Sequence, residues 1–438
     1  MAALPMWDPT HETMPREALE RLQVERLRAL VARLHATVPF YRKALDERGI
    51  RADGVRTLAD LRRLPFTYKT DLRDTYPFGL FAVPLSEVVR IHASSGTTGK
   101  PIVVGYTRDD LTLWTEMMAR VLTAGGVTRD DVVHNAYGYG LFTGGLGFHY
   151  GAERVGATVI PLSGGFTERQ LLMMRDLGST ILCCTPSYAV FLAEEIAAAG
   201  ITPRDLKLRV GFFGAEPWSE PMRREIEQRL GILALDIYGL SEVVGPGVSV
   251  ECPEKRGLHI SEDHFLPEVI DPVTLEPLPP GRVGELVFTT LTKQGIPLLR
   301  YRTRDLAALT VEPCPCGRTL VRMSKIAGRS DDMLIIRGVN LFPSQVETIL
   351  VTIPELEPQY LLVVRREKAL DELEVVVEAK REVIAAGPSG IEALQRRVQR
   401  ELHQGIGLTA AVRVVEPKAL ERSVGKAKRV LDERRLDG

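Results

Sequence analysis

Short apolar runs alternate with helical segments in this chain from about residue 85 to residue 290. The candidate strands lie at residues 132–133, 157–160, 180–184, 210–213, 233–237 and 285–289. Apolar runs of this length, separated by helices, are typical of buried sheets with helices on their faces. The sequence therefore predicts an α/β fold.

The two ends of the chain carry different patterns. Between residues 16 and 36, leucines and valines recur at helical spacing, which predicts an amphipathic helix packed on the core. After Asp331 the pattern predicts a compact α+β domain, residues 331–438, which follows a large domain at residues 1–330. Its candidate elements are strands at 333–336, 360–364, 373–379 and 411–415, a helix opened by a capping box from Ser344 to Glu347, a small loop at 385–390, and a helix at about 391–403.

Composition narrows the class of protein. A chain of 438 residues is too long for one ordinary core. With 45% hydrophobic and 26% charged residues it has the composition of a soluble globular protein, and a net charge of −1 disfavours a dedicated nucleic-acid binder. Residues 1–17 lack the apolar core of a signal peptide, and no run approaches the ~18 apolar residues of a membrane span. Five cysteines do not suggest a disulfide framework, so we expect a cytoplasmic protein.

A loop rich in glycines and hydroxyl groups follows an apolar run that contains Val88, Val89 and Ile91. The loop consists of Ser94, Ser95, Gly96, Thr97, Thr98, Gly99 and Lys100, with Pro101 after it. Glycines allow close approach of the backbone, amides and hydroxyls donate hydrogen bonds, and the lysine adds a positive charge, so this loop can wrap a polyphosphate. It is not the Walker loop, which has four residues between its glycines and a Ser or Thr after the lysine. Taken alone, such a run is more often an ordinary flexible loop.

Five sequence blocks, taken together, give the chain a family resemblance. They lie at residues 94–101, 238–242, 301–305, 328–332 and 425–429. In this order and spacing they resemble the AMP-forming acyl-adenylating enzymes, which activate carboxylic acids with ATP. The resemblance implies two half-reactions: an acid and Mg·ATP give an acyl-adenylate and pyrophosphate, and a thiol then displaces AMP.

The resemblance also implies roles for single residues. The 94–100 loop would hold the β- and γ-phosphates, and Tyr238 would stack on adenine. Glu242 would ligate Mg²⁺, and Asp305 would bind the ribose hydroxyls. Arg329 would reach ribose or phosphate. Further nucleotide-binding residues implied by the family are Gly214, Ala215, Glu216, Pro217, Asp236, Gly239, Ser241 and Ile326.

Lys426 is the catalytic lysine implied by the resemblance. It would bridge the acid carboxylate and the α-phosphate, where negative charge gathers during attack. Lys428 is the nearest rival, but the family places this lysine directly after glycine and three residues before arginine. The alternatives for these side chains are a core tyrosine, a solvated carboxylate and a surface lysine. The family's hinge falls at Asp331, so residues 331–438 would form a mobile lid.

A closer resemblance, to the phenylacetate–CoA ligase family, covers nearly the whole chain. Its marks are residues 136–149, 212–218 and 334–340. The first segment sets four aromatic residues among glycines, and aromatic walls suit a flat apolar acid, although a buried aromatic cluster is an equal alternative. The resemblance implies an acyl pocket that includes Tyr137, Phe142, Gly214, Ala215 and Pro217.

The expected reaction is therefore ATP-dependent formation of phenylacetyl-CoA, or a close arylacetyl-CoA, with release of AMP and pyrophosphate. Such a reaction belongs to the degradation of phenylacetate and other aromatic acids, and family members are often homodimers. The alternatives are a benzoate-type CoA ligase and an aryl-acid adenylating enzyme that loads a carrier protein. No evident partner for an α-ammonium group stands in these segments, which disfavours an amino-acid substrate. A catalytically silent regulator would have lost Lys426, Glu242 or Asp305, and all three are present.

The cysteines support a separate hypothesis. Cys314 and Cys316 form a C-x-C knuckle, and Cys252 lies seven residues before His259. These four side chains form a Cys₃His set that suits tetrahedral Zn²⁺ in a structural role, although the spacing is not that of a standard zinc finger and reduced loop thiols are the alternative. Related phenylacetate–CoA ligases resemble the chain here, and some carry zinc at such a position. Cys183 and Cys184 lie in an apolar run and are expected in the core.

Overall fold

The computed structural model describes residues 5–94, 101–330, 334–336, 339–367, 370–422 and 427–434. The chain divides into two compact units. Unit 1 comprises Met1–Cys184, Leu206–Ala215 and Leu235–Ile326, and unit 2 comprises Thr185–Asp205, Glu216–Ala234 and Ala327–Gly438. Two segments that precede residue 330 therefore group with the C-terminal residues.

Helices occur in both units. Those in the described residues are α1 Pro9–Glu12, α2 Arg16–Thr37, α3 Pro39–Asp46, α4 Lys69–Asp74, α5 Arg108–Ala124, α6 Gly144–Val155, α7 Thr167–Asp176, α8 Pro186–Ala198, α9 Glu220–Leu230, α10 Pro343–Leu350, α11 Arg381–Ala385 and α12 Pro388–Ile406, with 3₁₀ turns at Ala52–Gly54, Leu58–Arg63, Leu85–Glu87 and Pro203–Asp205. Helix α2 buries Leu19, Leu27, Leu30 and Leu34, which confirms the predicted amphipathic helix. Within the described part of the chain, no helix combines the length and apolarity that crossing a bilayer requires.

The strands of the described residues include the short ones that the apolar runs predict, together with two longer strands of 12 and 10 residues. They are β1 Arg90–Ala93, β2 Val103–Tyr106, β3 Val132–Asn135, β4 Thr158–Ile160, β5 Ile181–Cys184, β6 Val210–Gly214, β7 Leu233–Leu240, β8 Gly245–Glu251, β9 Leu258–Ile260, β10 Phe265–Ile270, β11 Gly284–Thr290, β12 Tyr301–Ala307, β13 Leu309–Thr310, β14 Arg322–Met323, β15 Gly328–Arg329, β16 Leu334–Ile336, β17 Val339–Leu341, β18 Leu356–Glu367, β19 Leu370–Ala379, β20 Ala411–Val415 and β21 Val430–Asp432.

The main sheet of unit 1 has the strand order β13-β14-β9-β8-β7-β6-β5-β3-β4. Strand β3 pairs in parallel with β4 and β5, and β5 with β6, whereas β7, β8 and β9 pair antiparallel. Strands β5 and β6 are buried along their whole length, including Cys183 and Cys184. The predicted α/β class is confirmed, and each candidate strand between residues 85 and 290 coincides with an observed one.

A second sheet of unit 1 carries part of the candidate site. Strands β10, β11 and β12 pair antiparallel in that order, with a register shift between Glu285 and Val287. Glu285 is fully buried and accepts two hydrogen bonds from Arg302 on the neighbouring strand, at 3.0 and 2.6 Å. This internal ion pair fixes β12, the strand that also carries Asp305.

Unit 2 contains a four-stranded sheet with the order β20-β19-β18-β21. Strands β18 and β19 pair antiparallel, and the two outer strands join in parallel. Helix α12 buries Leu394, Val398 and Leu402, which recur every fourth residue on one helical face. Because these three side chains are part of the core, the hydrophobic core of unit 2 is formed by the sheet and helix α12 together.

Two sequence predictions in unit 2 are wrong. The capping box from Ser344 to Glu347 does not form, because helix α10 begins at Pro343 and the side chain of Gln345 accepts from the backbone N–H of Phe342 at 2.9 Å. Proline suits the first helical position because its missing N–H has no partner there in any case. The loop predicted at 385–390 is also shorter, since α11 ends at Ala385 and α12 begins at Pro388.

Candidate functional site

Two predicted nucleotide-binding residues meet in unit 1. The hydroxyl of Tyr238, on β7, donates to Oδ2 of Asp305, on β12, at 2.6 Å. Both are largely buried, with 9% and 5% of their surface exposed. The Tyr238 ring lies 6.2 Å from the ring of Phe288. The sequence block around Tyr238 and the block around Asp305 are thus joined by a direct hydrogen bond.

The backbone around Asp305 is held in a strained form. Arg304 has a φ of +69°, a left-handed conformation that costs a residue with a Cβ about 1–2 kcal/mol. Its N–H donates to Glu285, and the N–H of Asp305 donates to the hydroxyl of Thr303 at 3.0 Å. Such a conformation persists only where surrounding contacts hold the residue in place, and conformations of this kind are common at functional sites.

Glu242 lies in the short turn between β7 and β8. Its side chain is buried, and its main-chain carbonyl accepts a hydrogen bond from Nζ of Lys293 at 3.0 Å. The neighbouring Ser241 hydroxyl lies 3.2 Å from that of Thr143. Within β7, Gly239 packs so tightly that a Cβ would lie 1.9 Å from the carbonyl oxygen of Gly245. A larger residue at position 239 would therefore displace this turn.

The loop after β6 is also shaped by close approach. A Cβ at Gly214 would lie 2.2 Å from the carbonyl oxygen of Ile237, and Ala215 has a φ of +72°. Asp236 lies on the neighbouring strand β7, where its N–H donates to Glu251 at 2.8 Å. These constraints place a tight backbone turn at the end of β6.

Glu216 and Pro217 begin the next stretch of unit 2. The carboxylate of Glu216 accepts from the N–H of Ser187 at 2.8 Å and from the N–H of Ala427 at 2.7 Å. Ala427 directly follows Lys426 in sequence. Glu216 therefore holds main chain beside the predicted catalytic lysine, a contact that the sequence does not predict.

Several predicted residues lie outside the described part of the chain: Ser95, Gly96, Thr97, Thr98, Gly99, Lys100, Asp331 and Lys426. Ser94, at the start of the phosphate loop, is described, and its N–H donates to the carbonyl of Ile102 at 3.0 Å. Ile326 and Arg329 are described and half-buried. Lys428, the rival of Lys426, is exposed.

The glycine-rich aromatic segment divides into two environments. Tyr137 is 4% exposed and stacks on Phe148, with ring centroids 5.2 Å apart and planes 7° from parallel. Phe142 is 37% exposed. A Cβ at Gly144 would lie 2.5 Å from the Phe142 ring, and one at Gly145 would lie 2.6 Å from the carbonyl of Gly138. The segment therefore combines a core aromatic stack with an accessible ring, and it needs its glycines for packing.

Asn135 is a residue of this region that sequence reasoning missed. It is fully buried at the carboxyl end of β3, and its Nδ2 donates to the hydroxyl of Tyr139 and to the carbonyl of Gly145, at 2.8 and 2.7 Å. Its Oδ1 accepts from the N–H of Tyr137 at 3.3 Å. A polar residue at the carboxyl end of an apolar parallel strand, where ligands of α/β sheets bind, is the signal that could have found it.

The four predicted zinc ligands come together in unit 1 as a Cys₃His cluster. The ligand atoms of Cys252, His259, Cys314 and Cys316 all lie within 4.8 Å of one another, and all four residues are buried. Sγ of Cys252 is 3.8 Å from Sγ of Cys314, and Sγ of Cys316 is 3.4 Å from Nε2 of His259. A tetrahedral zinc with Zn–S of about 2.3 Å and Zn–N of about 2.0 Å has edges of about 3.8 and 3.5 Å. The donor set therefore fits zinc in chemistry, and these two distances are close to the edges of such a tetrahedron.

The charges around the Cys₃His cluster are coupled. The thiol of Cys252 and then His259 hold the pKa of Cys316 far below its usual value, and Cys316 in turn raises the pKa of Cys252. Arg318, 1% exposed, donates from Nη1 toward Sγ of Cys316 at 3.7 Å and from Nε to Glu12 at 2.5 Å. One sulfur is thus stabilised as a thiolate beside a buried guanidinium.

Comparison with known proteins identifies the family. The sequence profile of the AMP-binding enzymes matches residues 21–291, and that of the AMP-binding enzyme C-terminal domain matches residues 338–434. A phenylacetate-coenzyme A ligase of Thermus thermophilus is 55% identical over 98% of this chain and 100% of its own length. The chain belongs to the phenylacetate–CoA ligase family. Another member, from Escherichia coli, is 51% identical over 98% of both chains.

Solved structures agree with this placement. A 2-hydroxyisobutyryl-CoA ligase in the postadenylation state, in complex with 2-HIB-AMP, is 30% identical, with a TM-score of 0.92 over 97% of this chain and 92% of that one. The same ligase in the thioesterification state with CoA is 31% identical, with a TM-score of 0.72 over 98% and 92%. As a member of its family, the chain is an AMP-forming acid–CoA ligase, which uses ATP to join an acid to CoA through an acyl-adenylate.

Proposed function

We propose that this ligase converts phenylacetate to phenylacetyl-CoA. The observation that carries the proposal is the identity of 51–55% to four curated phenylacetate-coenzyme A ligases over 97–98% of the chain. An acid with a flat apolar ring also suits the aromatic segment around Tyr137 and Phe142. These two residues, with Gly214, Ala215 and Pro217, form the proposed acyl pocket.

In the first half-reaction, a carboxylate oxygen of the acid attacks the α-phosphorus of ATP and pyrophosphate leaves. Asp305 accepts hydrogen bonds from the ribose, and Tyr238 both orients that carboxylate and stacks on adenine. The carboxylate of Glu242 would ligate the Mg²⁺ of Mg·ATP, since Mg²⁺ favours carboxylate oxygens. The buried setting of Tyr238, Glu242 and Asp305 supports these roles, because a site with little water strengthens electrostatic contacts.

The rest of the nucleotide site follows from the family. The loop from Ser94 to Lys100 holds the β- and γ-phosphates, and Arg329 reaches ribose or phosphate. Lys426 bridges the acid and the α-phosphate, so that it offsets the charge that develops in the transition state. Gly214, Ala215, Glu216, Pro217, Asp236, Gly239, Ser241 and Ile326 complete the site.

In the second half-reaction, the CoA sulfur attacks the carbonyl carbon of the mixed anhydride, and AMP leaves with the bonding electron pair. One site serves both steps if residues 331–438 move as a lid about Asp331 relative to residues 1–330. A solved relative with distinct postadenylation and thioesterification states supports such a movement. In this proposal Lys426 closes for the first step and withdraws for the second.

We also propose a structural zinc on the Cys₃His cluster. Four protein ligands fill the tetrahedral shell, so the ion would cross-link the loops that carry Cys252 and Cys314 without binding substrate. A homodimer and a cytoplasmic location, with no nucleic-acid or membrane partner, stay predictions from the sequence.

ATP–pyrophosphate exchange across a panel of aryl acids, with and without CoA, tests the proposed function. Phenylacetate should support the fastest exchange, and added CoA should yield its thioester. A benzoate-type acid that outperforms phenylacetate would identify a benzoate–CoA ligase instead. Replacing Phe142 by a polar asparagine should raise KM for phenylacetate more than KM for ATP, because Phe142 belongs to the proposed acyl pocket and not to the proposed nucleotide site.

A further inference from the structure

A buried lysine of unit 1 contacts the turn that carries Glu242. Lys293 follows strand β11 and is only 1% exposed. Its Nζ donates to the main-chain carbonyl of Glu242 at 3.0 Å and lies 4.9 Å from the centroid of the Tyr106 ring. Burying an ammonium group costs free energy unless opposite charges and hydrogen bonds compensate the loss of water. A buried lysine at this position therefore indicates a specific role.

The surroundings of Lys293 include two carboxylates, those of Asp110 and Glu242, whose charges favour its ammonium form, whereas burial disfavours it. A protonated lysine donates a charge-assisted hydrogen bond, which is about twice as strong as a neutral one.

The backbone that directly follows Lys293 is fixed by hydrogen bonds that do not involve the lysine side chain. Asp110, in the first turn of α5, accepts from the N–H of Gln294 at 2.5 Å and from the N–H of Gly295 at 2.7 Å. The same carboxylate caps the helix by accepting from the N–H of Thr107 at 2.9 Å. The start of α5 thus sets the direction in which the lysine side chain leaves the loop.

Among the described residues, Lys293, Tyr106 and Trp114 are buried side chains that donate to main-chain carbonyls of the segment from residue 241 to residue 246. The Tyr106 hydroxyl donates to the carbonyls of Ser241 and Val244, at 3.3 and 3.0 Å. Nε1 of Trp114 donates to the carbonyl of Pro246 at 2.8 Å. The rings of Tyr106 and Trp114 stack at 5.3 Å, so the three donors form one continuous support.

We propose that Lys293 is a positioning residue that fixes the backbone of Glu242 and thereby sets where its carboxylate meets Mg·ATP. The inference rests on the proposed role of Glu242. A side chain outside the five recognisable motifs thus controls the geometry of one of them. A neutral apolar residue of the same length would leave the Glu242 carbonyl without this donor and remove the charge that balances Asp110.

The test replaces Lys293 by methionine and measures both affinity and turnover. In pyrophosphate exchange, Lys293→Met should raise KM for Mg·ATP about tenfold, the loss expected for one hydrogen bond from a charged donor, and should change KM for phenylacetate less than about twofold. Tyr106→Phe, which removes only a hydroxyl, should also raise KM for Mg·ATP more than KM for phenylacetate, but by a smaller factor. Lys207→Met, at an exposed lysine of unit 1, is the matched control and should equal the wild type.

Calorimetry separates positioning from general damage. The affinity for ATP with Mg²⁺ should fall about tenfold in Lys293→Met, whereas the affinity for ATP in EDTA should match that of the wild type. Equal losses with and without Mg²⁺, or a wild-type KM for Mg·ATP, overturn the proposal. If Lys293→Met does not fold, a wild-type Mg²⁺ dependence in Tyr106→Phe overturns it. A wild-type enzyme that binds Mg·ATP but exchanges pyrophosphate with no aryl acid would instead contradict the proposed function.

Discussion

Removing the hydroxyl of Tyr238 tests the proposed nucleotide site most sharply. Tyr238→Phe deletes the 2.6 Å hydrogen bond to Asp305 and leaves the aromatic ring, which is the part proposed to stack on adenine. A hydrogen bond to a charged group contributes about 1.5–3 kcal/mol. Because Tyr238 is 9% exposed, water can replace part of this bond, so we expect a loss near the lower end. About 1.5 kcal/mol corresponds to a rise of about tenfold in KM for ATP.

The assay is ATP–pyrophosphate exchange at saturating phenylacetate, followed by the same titration of phenylacetate at saturating ATP. Only KM for ATP should rise, since the lost bond orients the carboxylate proposed to bind ribose. Tyr41→Phe is the matched control: Tyr41 is fully buried, and its hydroxyl contacts Thr67 and Leu299 instead. Its KM for ATP should equal that of the wild type.

Two results would refute this reasoning. One is an unchanged KM for ATP in Tyr238→Phe, which would mean that the orientation of Asp305 does not matter for binding. The other is an equal rise in KM for phenylacetate, which would mean that the substitution disturbs the whole unit. Thermal unfolding of both variants identifies the second case, because general disturbance lowers the melting temperature as well.

Three further predictions address the metal, the core and the lid. The Cys₃His cluster should give about one zinc per chain by elemental analysis of protein purified without added metal; absence of zinc contradicts it. Burial raises the pKa of Asp263, but His264 and Arg120 hold it below its ordinary value. Its contribution to stability should therefore be complete above the ordinary pKa of about 4 and should decline progressively as the pH falls from there toward the lowered value. Asp263→Asn should cost about 3–5 kcal/mol at pH 7 by urea unfolding. Lys426→Ala should lose adenylation yet convert supplied phenylacetyl-adenylate and CoA, whereas Asp331→Pro should show the reverse, and equal loss of both half-reactions in both variants excludes a moving lid.

The fold class could be predicted because buried strands and amphipathic helices leave direct periodic signals. The apolar run at 181–184 and the leucines of α2 are examples in which local pattern and tertiary burial agree. The start of α10 could not be predicted, because a proline at the first helical position and an end cap from Gln345 compete with a plausible capping box two residues later. Likewise, the grouping of Thr185–Asp205 with the C-terminal residues depends on tertiary packing alone.

The candidate site shows the same division. The residues proposed to bind nucleotide stand in recognisable motifs, and the proposed zinc ligands could be named because thiols and imidazole are rare and have specific chemistry. The supporting residues could not be named. Lys293 and Asn135 look like ordinary residues at or just after the ends of strands, and only the folded chain brings them to Glu242, 51 residues from Lys293, and to Gly145, 10 residues from Asn135. The contact of Glu216 with the N–H of Ala427 has the same origin.

One competition experiment tests whether phenylacetate is the acid that this ligase prefers. The enzyme is incubated with Mg·ATP, CoA and equal concentrations of phenylacetate, benzoate, octanoate and acetate, and the thioesters and AMP are quantified by mass spectrometry. Phenylacetyl-CoA should be the main product, and one AMP should form for each thioester. A different main thioester, or ADP in place of AMP, would contradict this expectation.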